Sequence, residues 1–427
     1  MRDSIVPAPV SIRSVFQPTF LTRVSRQLVL RRLHGLRYGS LMIVDGEESL
    51  TFGESSSSCP LSVTLHVHDT HFYNDLVFGG SVGAGEAYIK RLWSCDDLTT
   101  LVRILVRNRE VLDGMEAGSA RLTLPLRKAF HVLHRNTKRG SRRNIVAHYD
   151  LGNDFFALFL DETMTYSCGI FERADSTLQE ASLAKIDRIC RKLQLSSNDH
   201  LLEIGTGWGS FALHAAQRYG CRVTTTTISP QQYQLARQRI TEAGLTDRVT
   251  VLLKDYRELT GQYDKLVSIE MIEAVGYAFY DTYFARCSSL VKPDGMMLLQ
   301  AIIIADQQYE AAKRSVDFIQ RYIFPGSCIP SITAISHSLA RATDMRIFHV
   351  EDLTPHYADT LRHWRKRFFT NLNQVQRLGC SEEFIRMWEF YFCYCEGGFC
   401  ERVIGDVQIL LTKPLCRRSP ILPALGS

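Results

Sequence analysis

The chain has 427 residues, and its 50 Lys and Arg against 45 Asp and Glu give a formal net charge of +5. Hydrophobic residues make up 45% and charged residues 22%, an ordinary globular composition that excludes disordered, collagen-like and coiled-coil chains. At about 150 residues per domain, this length predicts two or three domains. No apolar run reaches the roughly 20 residues of a membrane-spanning helix, so we expect a soluble protein or one on a membrane surface.

Two segments are strongly basic although the whole chain is nearly neutral. Residues 1–44 hold seven arginines and one acid, and residues 121–143 hold eight basic residues and no acid. Such blocks predict docking surfaces for the phosphates of anionic lipid or of nucleic acid. The first block is also typical of targeting peptides, so whether residues 1–30 are ordered stays open.

Within the first block, apolar residues fall on one helical face between arginines. This pattern is typical of a helix lying in a membrane interface, and a helix packed on its own domain is the alternative. The apolar residues of that face are Phe20, Leu21, Val24, Leu28 and Leu33.

Short strands follow, with Leu41–Val44 and Leu50–Gly53 on either side of an Asp45-Gly46 turn, and then Leu61–Val67. Helical sequence leads on from there to about residue 120. We therefore predict a small α+β domain, a basic linker and a larger second domain. The predicted boundaries are 1–120 for the first domain, 121–143 for the linker and 144–427 for the second domain.

From about residue 180, apolar strands alternate with amphipathic helices. This alternation predicts an α/β domain with a doubly wound, mainly parallel sheet of the Rossmann-like type. We expect a last, antiparallel strand at Val407–Leu411. The other predicted strands are His200–Ile204, Arg222–Thr227, Val249–Leu253, Lys265–Ile269 and Gly295–Leu299, and the predicted helices include Leu183–Leu193, Ser210–Tyr219 and Pro230–Ala243.

A glycine-rich turn joins the first of these strands to its helix. Gly205, Gly207 and Gly209 let the backbone approach a ligand closely, and the next helix begins at Ser210. The turn alone is compatible with NAD, FAD or S-adenosylmethionine, or with a plain tight turn. Glu203 lies two positions before the first glycine, and the third glycine of a dinucleotide motif is missing, which favours S-adenosylmethionine.

The end of the next strand also argues against a dinucleotide, because it carries no acid for a ribose. We expect Thr227, Ile228 and Gln232 to bind the cofactor there. Asp255 and Tyr256, at a further strand end, are candidate adenine contacts. On the glycine turn itself, Trp208 is either a cofactor contact or a core residue.

Several short motifs occur in a fixed order along the chain. They are Asn144–Asn153, Met164–Gly169, Glu203–Gly209, Met271–Gly276, Tyr322–Gly326 and Glu396–Phe399. From about residue 140 to 412, the chain resembles the cyclopropane-fatty-acyl-phospholipid synthase family of class I S-adenosylmethionine methyltransferases. Gly83–Tyr88 resembles part of that family's N-terminal lipid-handling domain.

The resemblance implies that a methyl group passes from S-adenosylmethionine to a cis double bond of a phospholipid acyl chain. Loss of a proton from that methyl then closes a cyclopropane ring, and the base in this family is a bound bicarbonate. An alkene is a poor nucleophile and the intermediate is a cation, so a dry, apolar slot is needed. The alternatives are a methylene- or methyl-branched product, or a non-catalytic lipid-binding relative.

The resemblance also implies a bicarbonate pocket, which includes the backbone amide of Cys168. Gln300 stands where many members have His, and because it cannot titrate, a histidine-mediated proton relay is in doubt. Glu270 is interpreted as a cofactor-side or structural acid. The implied pocket residues are Cys168, Glu273, Gln300, Ile302 and Tyr357.

The resemblance further places Tyr166 and Ser167 against the cofactor carboxylate, and His148 and Tyr149 over the active site. The basic blocks then fit peripheral docking on the cytoplasmic face of a bilayer. Nucleic acid is disfavoured because no aromatic stacking groups flank the basic runs. Oligomeric state stays open, a homodimer included.

Twelve scattered cysteines without a CxxC pair favour reduced thiols over a disulfide scaffold. We expect no metal, because Cys393, Cys395 and Cys400 lack a partner pair at zinc spacing.

Overall fold

A computed structural model describes residues 19–110 and 152–422. The first of these ranges forms a four-stranded sheet in the order β2-β1-β3-β4, with β1 and β3 parallel and the outer pairs antiparallel. The predicted strands and the turn at Gly46 are confirmed. The elements are α1 (Phe20–Leu33), β1 (Gly39–Asp45), β2 (Glu48–Glu54), β3 (Ser62–Val67), α2 (His71–Ile89), β4 (Trp93–Cys95) and α3 (Leu98–Arg107).

Helix α1 packs against α2, mainly through residues outside the predicted apolar face, of which Leu33 alone is buried. Thr19 caps it by accepting a hydrogen bond from the Thr22 backbone, and the helix buries Val29 and Leu33 together with small polar residues. Phe20, the first residue of the predicted apolar face, is 83% exposed. The helix therefore packs within the first range and still presents apolar side chains to solvent, and its placement in a membrane interface stays a prediction.

The second described range forms a seven-stranded sheet in the order β10-β11-β9-β8-β5-β6-β7. Strands β7, β6, β5, β8 and β9 are parallel to one another, while β11 is antiparallel to both of its neighbours. This confirms the Rossmann-like α/β prediction and the antiparallel last strand. The strands are β5 (His200–Ile204), β6 (Arg222–Thr227), β7 (Val249–Leu253), β8 (Tyr263–Ile269), β9 (Val291–Ile304), β10 (Arg346–Asp352) and β11 (Ile404–Thr412).

Helices cover both faces of this sheet, and the three predicted between residues 183 and 243 are confirmed to within a few residues. The helices are α4 (Asn153–Ala157), α5 (Leu178–Lys192), α6 (Ser210–Tyr219), α7 (Pro230–Glu242), α8 (Tyr280–Leu290), α9 (Asp306–Ala312), α10 (Ile332–Ala342), α11 (Thr354–Thr370), α12 (Leu372–Arg377) and α13 (Glu382–Cys400).

The two ranges share one hydrophobic core through helix α13, which packs against α2 and α3. Gly397 allows this approach, because a Cβ there would lie 2.6 Å from Cγ1 of Val102. At the edge of the contact, Arg103 and Arg107 both donate to Glu401, at 2.7 and 2.6 Å. The first range is therefore fixed to the larger sheet by packing and by ion pairs.

Several predictions fall outside the described residues. These are the domain boundary near residue 120, the basic linker 121–143, and the placement of His148 and Tyr149 over the active site. The division into domains stays a prediction. In the part of the chain that the structure describes, no helix is long and apolar enough to cross a membrane, and no group of three or more His, Cys, Asp or Glu side chains could hold a metal ion.

Candidate active site

The glycine turn lies at the carboxyl end of β5, where ligands bind in doubly wound sheets. Gly205, Gly207 and Gly209 have φ values of +104°, +52° and +90°, in the left-handed region that favours glycine. A Cβ added to Gly207 would meet no atom within 4 Å, so the loop borders open space. Helix α6 begins directly after Gly209 and directs its first backbone N–H groups towards this loop.

Glu203, the second-last residue of β5, is 2% exposed, and its Oε2 has no partner among the described residues. Burial raises the pKa of this carboxyl to about 8. A buried oxygen without a partner costs free energy unless a ligand donates to it. The geometry therefore fits a ligand hydroxyl at Glu203, as expected for the nucleoside part of S-adenosylmethionine.

The next strand ends supply the other predicted cofactor contacts. Thr227 donates to Oε1 of Gln232 at 2.8 Å, and both residues line the same cavity as Ile228. Asp255 and Tyr256 line it too, but the Asp255 carboxylate forms an ion pair with Arg257 at 2.6 Å. Whether Asp255 contacts adenine stays a prediction.

Tyr166 and Ser167 lie on the other side of the loop. The Ser167 hydroxyl accepts a hydrogen bond from Nζ of Lys185 at 2.7 Å, and Lys185 is 1% exposed. Burial lowers the pKa of this lysine. Sequence reasoning missed Lys185, whose only signal was a cation at a core position of α5. Lys185 lines the cavity beside Ser167, where the resemblance places the cofactor carboxylate.

Trp208 is a core residue, and its contact with the cofactor stays a prediction. Its indole N–H donates to Oδ1 of Asn153 at 2.7 Å, and its ring lies 5.1 Å from that of Phe156 in a buried aromatic cluster. It also contributes to the lining of the cavity.

This cavity measures about 890 Å³ and extends from the glycine turn to the first range of the chain. Val29, Leu41, Leu65 and Leu101 line its far part, so that end is apolar. The volume lies in the range of sites for whole small-molecule ligands. The polar side chains at its near end include Tyr166, Ser167, Lys185, Glu203, Gln232, Asp255, Glu270, Glu273 and Tyr357.

Three of the five groups assigned to the bicarbonate pocket converge on Glu270. Its Oε1 accepts hydrogen bonds from the backbone N–H of Cys168 at 2.9 Å and from Nε2 of Gln300 at 2.8 Å. Its Oε2 accepts from the hydroxyl of Tyr357 at 2.6 Å. Glu270, which was interpreted as a cofactor-side or structural acid, therefore lies at the centre of the cluster.

The other two pocket residues pair with each other. The backbone N–H of Ile302 donates to Oε1 of Glu273 at 2.5 Å, while Oε2 of Glu273 is buried without a partner among the described residues. Burial, reinforced by the negative charge of Glu270, raises the pKa of Glu273 to about 8. The cluster therefore contains a second carboxyl group, that of Glu273, and its raised pKa favours the protonated, neutral form.

Both Nε2 and Oε1 of Gln300 form hydrogen bonds, which explains why an amide side chain fits there. Its Nε2 also donates to Asp406 at 3.1 Å, and its Oε1 accepts from Gln408 at 3.0 Å. Lys192 donates to Gln408 at 2.8 Å. Sequence reasoning missed Asp406 and Gln408, although two polar residues spaced by two in an apolar strand point to the same face.

Comparison with known proteins agrees with these features. Residues 136–409 match the family described as mycolic acid cyclopropane synthetase. A tuberculostearic acid methyltransferase of Mycobacterium tuberculosis is 42% identical over 75% of this chain and 76% of its own. The cyclopropane-fatty-acyl-phospholipid synthase of Escherichia coli is 35% identical over 82% of this chain and 87% of its own.

Among solved structures, mycolic acid cyclopropane synthase in complex with SAH and CTAB superposes with a TM-score of 0.60 at 35% identity. The match covers 64% of this chain and 98% of that one.

Proposed function

The chain belongs to the mycolic acid cyclopropane synthetase family, and from that membership we propose that its acceptor is the cis double bond of an unsaturated phospholipid acyl chain. It is an S-adenosylmethionine-dependent methyltransferase that acts on lipids. The observation that supports the acceptor is the cavity, which joins the polar cofactor end to an apolar chamber in the first range of the chain.

S-adenosylmethionine supplies the sulfonium methyl group, and the protein holds the alkene in position and keeps water out. An alkene reacts only when it is held in line with that methyl, which the apolar walls can do for an acyl chain. Leu65 and Leu101 at the far end and Phe324 near the cluster offer no nucleophile to the cation that forms. Exclusion of water protects the same cation from hydration.

Loss of a proton from the added methyl then closes a cyclopropane ring, which we take as the main product. The alternative is a methylene- or methyl-branched chain. It is favoured by the identity to the relative named as tuberculostearic acid methyltransferase and by family members named as methoxy mycolic acid synthases. A non-catalytic lipid-binding role fits less well, because the polar groups at the cofactor end are in place.

We also propose peripheral docking on the cytoplasmic face of an anionic bilayer through α1. Leu21 and Leu28 are 51% and 47% exposed, and the exposed Arg23, Arg31 and Arg32 lie on the same helix. An apolar and cationic surface of this kind suits the headgroup region of a membrane. The name α1 surface is used for these five residues together with Phe20.

The test uses purified protein, vesicles of unsaturated phosphatidylglycerol, and S-adenosylmethionine with a deuterated methyl. Acyl chains are then analysed by mass spectrometry, before and after mild hydrogenation. We expect a gain of one CD2 unit in a chain that has no double bond left to hydrogenate.

A gain of CD2 with a surviving double bond would identify methylenation, and a gain of CD3 would identify a methyl branch. No label in any lipid, despite measurable binding of S-adenosylhomocysteine, would contradict the proposed acceptor and favour a non-catalytic relative.

A further inference from the structure

We propose that the Glu270 carboxylate, rather than a bound bicarbonate, removes the proton from the methyl group that has been added to the lipid. The inference rests on the proposed function, because it concerns the last step of that reaction. It assigns a catalytic role to a residue that the sequence pattern placed outside the pocket.

The site expected for an anion is already filled by the side chain of Glu270. A planar carboxylate and a bicarbonate present the same pair of oxygen acceptors. The donors expected to hold bicarbonate, Cys168 N–H, Gln300 Nε2 and Tyr357 O–H, all donate to the two oxygens of Glu270, at 2.6–2.9 Å. A bicarbonate would have to displace Glu270 to use them, so these residues do not fit a separate bound anion.

The backbone conformation of Glu270 also supports its role as the base. Its φ is +47°, in the left-handed region that residues other than glycine rarely adopt. Its backbone N–H donates to the carbonyl of Gln300 at 2.8 Å, which holds the chain in this conformation. Strained residues of this kind concentrate at active sites, and here the strain directs the side chain at its three donors.

The position of Glu270 in the cavity also supports this role. Glu270 lines the cavity, as do its neighbours Met271 and Glu273, whereas Cys168 and Gln300 do not line it. Glu270 and its donor Tyr357 therefore reach the space where the lipid would react, while the other two donors lie behind the carboxylate.

Charge favours Glu270 over Glu273 as the base. Burial raises the pKa of Glu270, but its three donors and the positive charge of Lys185 oppose that rise, whereas Glu273 has one donor and the charge of Glu270 raises its pKa further. Asp406 is the third acid of the cluster, and burial, reinforced by the charges of Glu270 and Glu273, raises its pKa well above the usual range. The titratable groups that face Glu270 are Cys168, Lys185, Glu273, Tyr357 and Asp406.

The proposed step balances without a further reactant. A C–H bond of the added methyl breaks, and its electron pair forms the ring-closing C–C bond to the cationic carbon. The proton forms an O–H bond with Glu270, and the cationic acyl chain becomes neutral. The carboxylic acid returns the proton to water once the product has left the cavity.

The experiment measures methyl transfer in buffer freed of carbon dioxide, with and without added bicarbonate. We compare the wild type with Glu270→Gln, which keeps the size of the side chain, and with Glu270→Gly, which suits the left-handed backbone and leaves room for a small anion. Glu242→Gln, an exposed change on α7, is the matched control. Binding of S-adenosylhomocysteine reports on the fold of each variant.

We expect the wild type and Glu242→Gln to be indifferent to bicarbonate. Glu270→Gln should lose about 100-fold in kcat, the scale of general base catalysis, while it still binds S-adenosylhomocysteine. Bicarbonate or formate should restore part of the activity of Glu270→Gly and none of that of Glu270→Gln.

A wild-type enzyme that requires added bicarbonate would overturn the inference, and so would full turnover by Glu270→Gln. The bicarbonate dependence of the wild type tests the inference even if both variants fail to fold. Failure of the wild type to label any lipid would instead count against the proposed function.

Discussion

At the scale of single residues, Glu273 links the site to stability. Its folded-state pKa of about 8 lies above the usual 4.5, so the folded protein binds the proton more tightly than the unfolded chain does. The stabilisation is complete below pH 4.5 and is lost as the pH rises towards 8, with a slope of at most ~1.4 kcal/mol per pH unit.

Glu273→Gln removes this dependence, because an amide does not titrate. We expect the free energy of unfolding of the wild type to fall relative to the variant between pH 5 and 8, as measured by urea denaturation at each pH. Parallel curves for the two proteins would show that Glu273 is already ionised in the folded state. We also expect the variant to lose turnover while it keeps its fold and cofactor binding, because Glu273 lines the cavity and its carboxyl interacts electrostatically with Glu270.

Tyr357 acts through Glu270 and is therefore a positioning residue. Tyr357→Phe deletes a hydrogen bond to the charged form of Glu270, so the pKa of Glu270 should rise. We expect kcat to fall by about tenfold, the acidic limb of the kcat–pH profile to move to higher pH, and KM for the lipid to change little.

Tyr219→Phe is the control for this change, because that hydroxyl also donates to a carboxylate, Asp187, at 2.7 Å, away from the cavity. A loss of kcat in Tyr357→Phe with no shift of the pH profile would point to a packing role instead.

The sequence was informative about these residues only in part. Glu273 could be predicted as a site residue because an acid between apolar neighbours needs a reason to be there. Glu270 lies only three positions earlier, but its role depends on a left-handed backbone at the end of β8 and on the position of β9, which no local pattern encodes.

At the scale of secondary structure elements, the cofactor loop needs glycine both for its positive φ and for the space that a Cβ would fill. Mutation can separate these two reasons. Gly207 and Gly244 both have positive φ, +52° and +68°, and neither would contact anything with an added Cβ. The backbone strain of an Ala substitution should therefore be similar, at about 1 kcal/mol.

We expect Gly207→Ala to weaken S-adenosylmethionine binding by about tenfold or more, because its Cβ would enter the cofactor space. Gly244→Ala should lose similar stability and bind normally. Calorimetric titration with S-adenosylhomocysteine, together with thermal unfolding, checks both effects. Equal affinity in the two variants would mean that Gly207 does not face the cofactor.

Most elements of the larger sheet could be predicted because strand-length runs of apolar or β-branched residues alternate with amphipathic helices. Strand β5 and helix α6 match the predicted bounds. Strand β10 has no counterpart among the predictions, because it lies at the edge of the sheet and carries Arg, His, Glu and Asp. Strand β9 is longer than predicted, since its ends are polar or half-buried.

At the scale of the whole molecule, the first range completes the cavity. Helices α2 and α3 contribute apolar lining, and α13 joins them to the larger sheet. Sequence reasoning predicted a lipid-handling role for this part from a short resemblance. It could not predict the shared core, because the contacts between α3 and α13 join residues nearly 300 positions apart.

The shared core has a consequence for the membrane. Because the first range is fixed to the larger sheet, docking of the α1 surface would hold the whole cavity near the bilayer. We expect binding to vesicles of phosphatidylglycerol to weaken on the order of 100-fold when Arg23, Arg31 and Arg32 are all changed to Ala, at roughly 1 kcal/mol per lost charge. Wild-type binding should also weaken as salt is added.

A second triple variant, at the exposed Arg191, Arg218 and Arg377, removes the same net charge from α5, α6 and α12. Sedimentation with vesicles should leave this control bound at low salt, while the α1 variant stays in solution. Equal loss in the two variants would show a general charge effect and would contradict docking through α1. Replacement of Phe20 and Leu21 by Ser separates the apolar contribution, because their burial in the headgroup region does not depend on salt. That variant should therefore bind more weakly than the wild type at every salt concentration, with an unchanged salt dependence.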